Sequence, residues 1–121
     1  TWGGNLVDMV RAKRFIQIIE GQGLAQNIAE RGCEVVGGLQ GLQQEGAPIE
    51  NVRGAGSWVA FTLKSPEERG QLLKGLREHG LLALASGIRS IRLRMPLVLS
   101  VAEGQEVVQR VARALPILAR V

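Results

Sequence analysis

The sequence has few of the residues that cross-link chains or bind metals. Among its 121 residues there is one cysteine, one histidine and one aspartate, and tyrosine is absent. Because a disulfide needs two thiols, Cys33 cannot form one within the chain, and a reducing cytoplasm is the expected location. His79 is followed by Gly80, which is typical of a helix end, so we assign it no catalytic role. No metal site is predicted.

Long hydrophobic runs are also missing. No apolar run approaches the ~20 residues of a membrane helix, and no charged segment followed by an apolar one opens the chain. Neither a membrane span nor a signal peptide is therefore expected. Aromatic residues make up 3% of the chain, so surfaces for stacking nucleobases are scarce. The net charge is +4 and twelve of the fifteen cations are arginine, which favours phosphate or carboxylate ligands over nucleic acid.

What is present indicates one small globular domain. The chain is 45% hydrophobic and 21% charged, enough for a modest core. The patterns predict helix, helix, strand, helix, strand, strand and helix. Such an order favours an α+β fold, a small and mostly antiparallel sheet with helices packed mainly on one face.

Capping and breaking residues predict where these elements begin and end. Asn5, Ser65 and Ser100 can each cap a helix, the last two in capping boxes with Glu68 and Glu103. The predicted ranges are helices 5–20, 24–44, 65–79 and 100–116, an extended segment 49–63 interrupted at 54–56, and strands 81–85 and 90–95.

The first helix is apolar around its whole circumference. Val7, Phe15 and Ile18 fall on a different side from Met9 and Val10. A helix of this kind is normally buried from more than one direction. We therefore expect a partner, outside this sequence or in a second copy, to cover the side that the small core leaves free.

The segment 90–100 carries the most specific pattern. Its alternation places Ile91 and Leu93 on one face and Arg92 and Arg94 on the other. A strand buried on one face can hold a guanidinium at a fixed place on the other, where its fork can meet a carboxylate with two hydrogen bonds. A half-buried strand with two solvated arginines would give the same pattern, and the pattern alone favours that reading.

Three segments resemble class III pyridoxal-phosphate aminotransferases, in that family's order. They are TWGGNLVDMVRAKR at the start, NVRGAGSWVAF in the middle and EHGLLALASGIRSIRLRMPLVLS before the closing helix. The chain is most similar to lysine 6-aminotransferases, with 4-aminobutyrate aminotransferases close behind. The resemblance implies the C-terminal small domain of a fold-type I enzyme, with residues 1–23 as a long connecting helix and 24–121 as the small domain.

The resemblance also implies roles for individual residues. Thr1 matches the family's threonine that contacts the cofactor phosphate of the neighbouring subunit. Arg92 matches an arginine that pairs with a substrate carboxylate or with a glutamate of the large domain, and Arg94 is a second candidate. No catalytic residue is assigned within the chain.

The implied function is transfer of an amino group from a terminal amine, of lysine or 4-aminobutyrate type, to 2-oxoglutarate. Such chemistry needs a lysine for the Schiff base with pyridoxal phosphate and an acid beside the pyridine nitrogen. The three lysines, Lys13, Lys64 and Lys74, lie in no recognisable cofactor motif, and the family keeps both groups in its large domain. The parent protein is thus expected to be an enzyme and a dimer, and this chain alone to be inactive and not to bind the cofactor stably.

A different class of function stays open. The chain could be a self-standing module whose arginine-bearing sheet binds an acidic partner, or one that forms a homo-oligomer through its apolar first helix. The amino donor is not determined by these residues.

Overall fold

A four-stranded antiparallel sheet, with helices against one of its faces, forms the centre of the fold. The structure is a computed structural model and describes residues 3–120, apart from the side chain of Arg120. Its elements are α1 (Leu6–Gly21), α2 (Leu24–Gln44), β1 (Glu50–Ala55), β2 (Trp58–Thr62), α3 (Pro66–Glu78), β3 (Leu84–Ser86), β4 (Ser90–Arg94), α4 (Val101–Ala114) and a 3₁₀ turn at Leu115–Arg120.

The strands lie in the order β1-β2-β4-β3. The β1–β2 and β3–β4 pairs are hairpins, and β2 joins the two by pairing with β4. Helices α2 and α3 pack on the sheet, and α4 packs on both of these helices. The α+β architecture expected from the order of patterns is therefore confirmed.

The core lies between the sheet and α2, α3 and α4. Alternate residues of the central strands enter it, and so do residues of the helices at spacings of three or four. Its fully buried side chains include Val35, Leu39, Val59, Phe61, Leu63, Leu72, Leu76, Ile91 and Val111.

The predicted caps form, with one difference. Asn5 accepts a hydrogen bond from Val7 N, and Ser100 and Glu103 make a complete capping box that lowers the pKa of Glu103 through hydrogen bonds from the Ser100 backbone and hydroxyl. The expected box at α3 is only half present. Ser65 accepts from Glu68 N, but the Glu68 carboxylate reaches Lys64 N instead of Ser65 N.

The strand expected at 81–85 is shorter and lies later in the chain. Leu81 N donates to Leu76 O at 2.8 Å, and Gly80, with φ of +74°, ends α3 in the left-handed region. This closing turn uses the backbone of Leu81, so pairing with β4 begins only at Leu84. Pro116 lies just beyond the end of α4, as predicted.

Helix α1 has no buried residue and packs on α2. Its large apolar side chains are among the most exposed in the part of the chain that the structure describes. They include Leu6, Val7, Met9, Val10, Phe15 and Ile16, with exposed fractions of 55% to 77%. The prediction that a further partner covers this helix stays a prediction.

The interruption at residues 54–56 has a packing reason. Gly54 and Ala55 are the last residues of β1, and Gly56 and Ser57 form the β1–β2 turn, where Gly56 has a φ of +54° and Gly32 of α2 approaches closely. A Cβ at Gly32 would overlap the Gly56 carbonyl oxygen and lie 2.9 Å from the Gly56 nitrogen. The glycine at position 56 therefore lies where the backbone of another element comes close.

This contact predicts opposite effects for two glycines of the same helix. Gly32→Ala should lower the free energy of unfolding by about 1–3 kcal/mol, because backbone must move to admit the methyl group. Gly37→Ala has no atom within 4 Å of the added carbon and should raise stability by up to ~1 kcal/mol through helix propensity. Urea unfolding of both variants checks this, and equal changes in the two would contradict it.

Candidate functional site

The face of the sheet turned away from the helices carries the candidate site, and we call it the open face. The core side chains of β2 and β4 determine which residues reach it, because neighbours along a strand point to opposite sides. Since Ile91 and Leu93 are buried, Arg92 and Arg94 must project from the open face. The open face consists of Glu50, Arg53, Ala55, Trp58, Ala60, Thr62, Leu84, Ser86, Ser90, Arg92 and Arg94, and its one acid, Glu50, pairs with Arg89.

Arg92 borders a cavity of about 410 Å³ on this face. Its partner in register on β2 is Ala60, whose short side chain leaves room above the sheet. Arg53, Trp58 and Ser86 line the rest of the cavity. Arg92 itself is half-buried, and its Nε is buried without a hydrogen-bond partner.

Trp58 stacks against both arginines of β4. The guanidinium carbon of Arg94 lies 4.6 Å from the ring centroid, and that of Arg92 lies 5.5 Å from it. Both distances are within the range of a cation–π contact. The ring therefore holds two positive charges at one end of the cavity.

No carboxylate neutralises these charges within residues 3–120. The ion pairs of the described residues involve other arginines, namely Arg11, Arg31, Arg89, Arg110 and Arg113. Glu106, for example, has a lowered pKa because Arg110 donates a hydrogen bond to it on α4. The open face is thus cationic and prepared for an anion.

Arg53 is a third cation of the site and was not expected from the sequence. Its Nη1 donates to Asn51 O at 2.8 Å and to Thr62 Oγ1 at 3.3 Å, which fixes its side chain along the sheet. It lies opposite Ala60 on the side away from Arg92. The strand register therefore places Ala60 between Arg53 and Arg92, which the sequence alone does not show.

The three lysines lie away from the cavity beside Arg92. Lys13, Lys64 and Lys74 are exposed, and none of them lines the cavity beside Arg92. Thr1, the expected contact for the cofactor phosphate, lies outside the described residues. His79 ends α3, as predicted. Within residues 3–120, no group of three or more His, Cys, Asp or Glu side chains could hold a metal ion.

No helix within these residues combines the length and apolar character that crossing a membrane requires.

Comparison with known proteins identifies the family. The sequence pattern described as "Aminotransferase class-III" matches residues 1–115. L-lysine-epsilon aminotransferase of Mycobacterium tuberculosis is 35% identical over 119 residues, which cover 98% of this chain and 26% of that protein. Acetylornithine aminotransferase of Bacillus cereus is 32% identical over 108 residues, covering 89% of this chain and 28% of that protein.

A solved structure agrees with these matches. Lysine aminotransferase from M. tuberculosis superimposes with a TM-score of 0.89 at 35% identity, over 98% of this chain and 27% of that one. The chain spans about a quarter of the length of the curated relatives it matches. The resemblance read from the three sequence segments is confirmed: the chain belongs to the class-III aminotransferases, a family that depends on pyridoxal phosphate.

Proposed function

We propose that the chain is the C-terminal part of an aminotransferase that moves an amino group from a terminal amine to a 2-oxo acid such as 2-oxoglutarate. Residues 1–23 are the connecting segment, which contains α1, and residues 24–121 belong to the small domain. The names of the lysine and acetylornithine aminotransferases support a donor of lysine or ornithine type. The order of the three family segments supports the C-terminal position.

The observation that carries the proposal is the cationic open face. Arg92 lines a cavity, Arg94 lies over the same Trp58 ring as Arg92, and no acid among the described residues pairs with either. The Nε of Arg92 is buried without a hydrogen-bond partner, and an unsatisfied buried donor costs free energy unless a ligand pairs with it. Arg92 therefore holds a carboxylate, either of the substrate or of the remainder of the enzyme, and Arg94 assists it.

The rest of the site lies outside these 121 residues. The Schiff-base lysine and the acid for the pyridine nitrogen belong to the large domain. Thr1 contacts the cofactor phosphate of the neighbouring subunit in a dimer. Alone, the chain does not transaminate and does not hold the cofactor stably. We place the intact enzyme in the cytoplasm, where a single unpaired cysteine is stable.

The exposed apolar side chains of α1 support a further part of the proposal. Val10 and Ile16 are 69% and 55% exposed, more than a solvated helix needs. In the intact enzyme these residues pack against the large domain or the second subunit. In the isolated chain they drive self-association.

The inactivity of the chain predicts the outcome of adding pyridoxal phosphate. Because no lysine faces the cavity, any imine should form slowly and without preference among Lys13, Lys64 and Lys74. Borohydride reduction followed by peptide mapping measures this distribution, and a transamination assay with lysine and 2-oxoglutarate should show no turnover. Saturable labelling of one lysine together with turnover would contradict the prediction.

The role of Arg92 predicts a selective kinetic defect in the intact enzyme. Arg92→Ala should raise KM for 2-oxoglutarate by about 10- to 100-fold, since a charge-assisted hydrogen bond is lost. Arg77→Ala removes an exposed arginine from the last turn of α3 and serves as the matched control, with unchanged kinetics. Equal KM values for the Arg92 and Arg77 variants would remove the proposed role.

Self-association of the isolated chain is measured by sedimentation at increasing concentration. We expect a mass above the 13.0 kDa of one chain, which Ile16→Lys should return to the monomer value because a charge then enters the apolar contact. Gln17→Lys introduces the same charge at an exposed polar position of α1 and should leave the mass unchanged. A concentration-independent monomer would rule out this part of the proposal.

A further inference from the structure

We propose that Trp58 is a positioning residue: its ring contacts both Arg92 and Arg94 and orients Arg92 towards a carboxylate in the adjacent cavity. The inference rests on the proposed function and adds a residue to it. It starts from a juxtaposition in the sheet: one aromatic ring on β2 meets both open-face arginines of β4.

The strand register produces this arrangement. Trp58 is the direct cross-strand partner of Arg94, while Arg92 pairs with Ala60 and is diagonal to the ring. Direct and diagonal neighbours on one face of a sheet are both within reach of aromatic and long side chains. The ring-to-guanidinium distances of 4.6 Å for Arg94 and 5.5 Å for Arg92 follow the same order.

Stacking on the ring and binding of a carboxylate use different parts of a guanidinium. The ring contacts the flat face, and a carboxylate accepts from the N–H groups at the edge. Because Ala60 is short, the cavity extends along the sheet beside Arg92, where those edges can receive an oxygen. Trp58 can therefore fix the arginines without competing for the hydrogen bonds that bind the anion.

No side-chain hydrogen bond or ion pair within the described chain fixes Arg92 or Arg94. Arg53, in contrast, is held by hydrogen bonds to Asn51 O and Thr62 Oγ1. The buried Nε of Arg92 has no partner, and no carboxylate approaches Arg92 or Arg94. Without the ring, two like charges would repel each other and sample many rotamers, so binding an anion would have to order them first.

The stacking itself is tested on the 121-residue chain by NMR. In the wild type, the side-chain δ protons of Arg92 and Arg94 should be shifted upfield by the ring current of Trp58. Trp58→Leu should return both shifts to ordinary arginine values, and Trp58→Phe should retain part of them. Trp58 is 45% exposed, so neither variant should unfold the domain. Unshifted arginine protons in the wild type would overturn the inference.

The positioning role is tested in the intact enzyme with lysine and 2-oxoglutarate as substrates. Trp58→Leu should raise KM for 2-oxoglutarate about tenfold with kcat nearly unchanged, as expected when a cation–π contact no longer prepares the arginines. Trp58→Phe should restore most of the affinity. A loss of stability alone would lower the amount of active enzyme and leave KM unchanged.

The arginine variant separates the two possible failures. If Arg92→Ala raises KM and Trp58→Leu does not, the positioning role of Trp58 is wrong and the proposed function stands. If neither variant changes KM, the proposed carboxylate site fails and the role of Trp58 fails with it. Raised KM in both, with recovery in Trp58→Phe, supports the inference.

Discussion

The burial of Ile91 and Leu93 is the constraint on which the rest of the site depends. These two side chains are 0% and 2% exposed, and their place in the core fixes the rotation of β4. A shift of one residue in register would bury Arg92 and Arg94 in an apolar interior, at a cost of many kcal/mol for unpaired charges. The hydrophobic core therefore determines on which face of the sheet the guanidinium groups lie.

The β1–β2 hairpin is placed by a different contact. Gly32 on α2 lets the turn at Gly56 approach the helix backbone, and this turn immediately precedes Trp58. The β2–β4 register then brings the ring opposite Arg94. The packing of α2 thus positions the β1–β2 turn, and the turn and the strand pairing together position Trp58 at one side of the cavity.

Local signals predicted much of the fold. The limits of α2 at Leu24 and Gln44 and the caps at Asn5 and Ser100 agree with the structure, because each depends on residues close together in sequence. The β3 strand was placed too early, since the turn after α3 uses the backbone of Leu81 for a hydrogen bond to Leu76. The alternation of apolar residues does not show that the backbone of Leu81 is used to end α3 and is therefore not available to the strand.

The candidate site could be predicted only in part, for a similar reason. Alternation along β4 correctly placed Arg92 and Arg94 on one face. The contributions of Trp58 and Arg53 depend on how the strands pair. Trp58 meets Arg94 only because β2 pairs with β4, and these two residues are more than thirty positions apart in the sequence. From the sequence alone, Trp58 resembles a core residue, because Val59 and Phe61 follow it closely. The alternation of β2 places Trp58 on the open face and the other two in the core.

The charge of the open face constrains whatever completes the site. Arg53 and Arg92 border the cavity and Arg94 lies over the ring of Trp58, while the ion pairs of the described carboxylates involve other arginines. Bringing this face against an apolar or cationic surface would desolvate the guanidinium groups without compensation. A stable contact therefore requires acidic groups opposite Arg92 and Arg94. Because the N–H groups at the edge of a guanidinium donate to any carboxylate, an acid of the protein and a carboxylate ligand would compete for the same position.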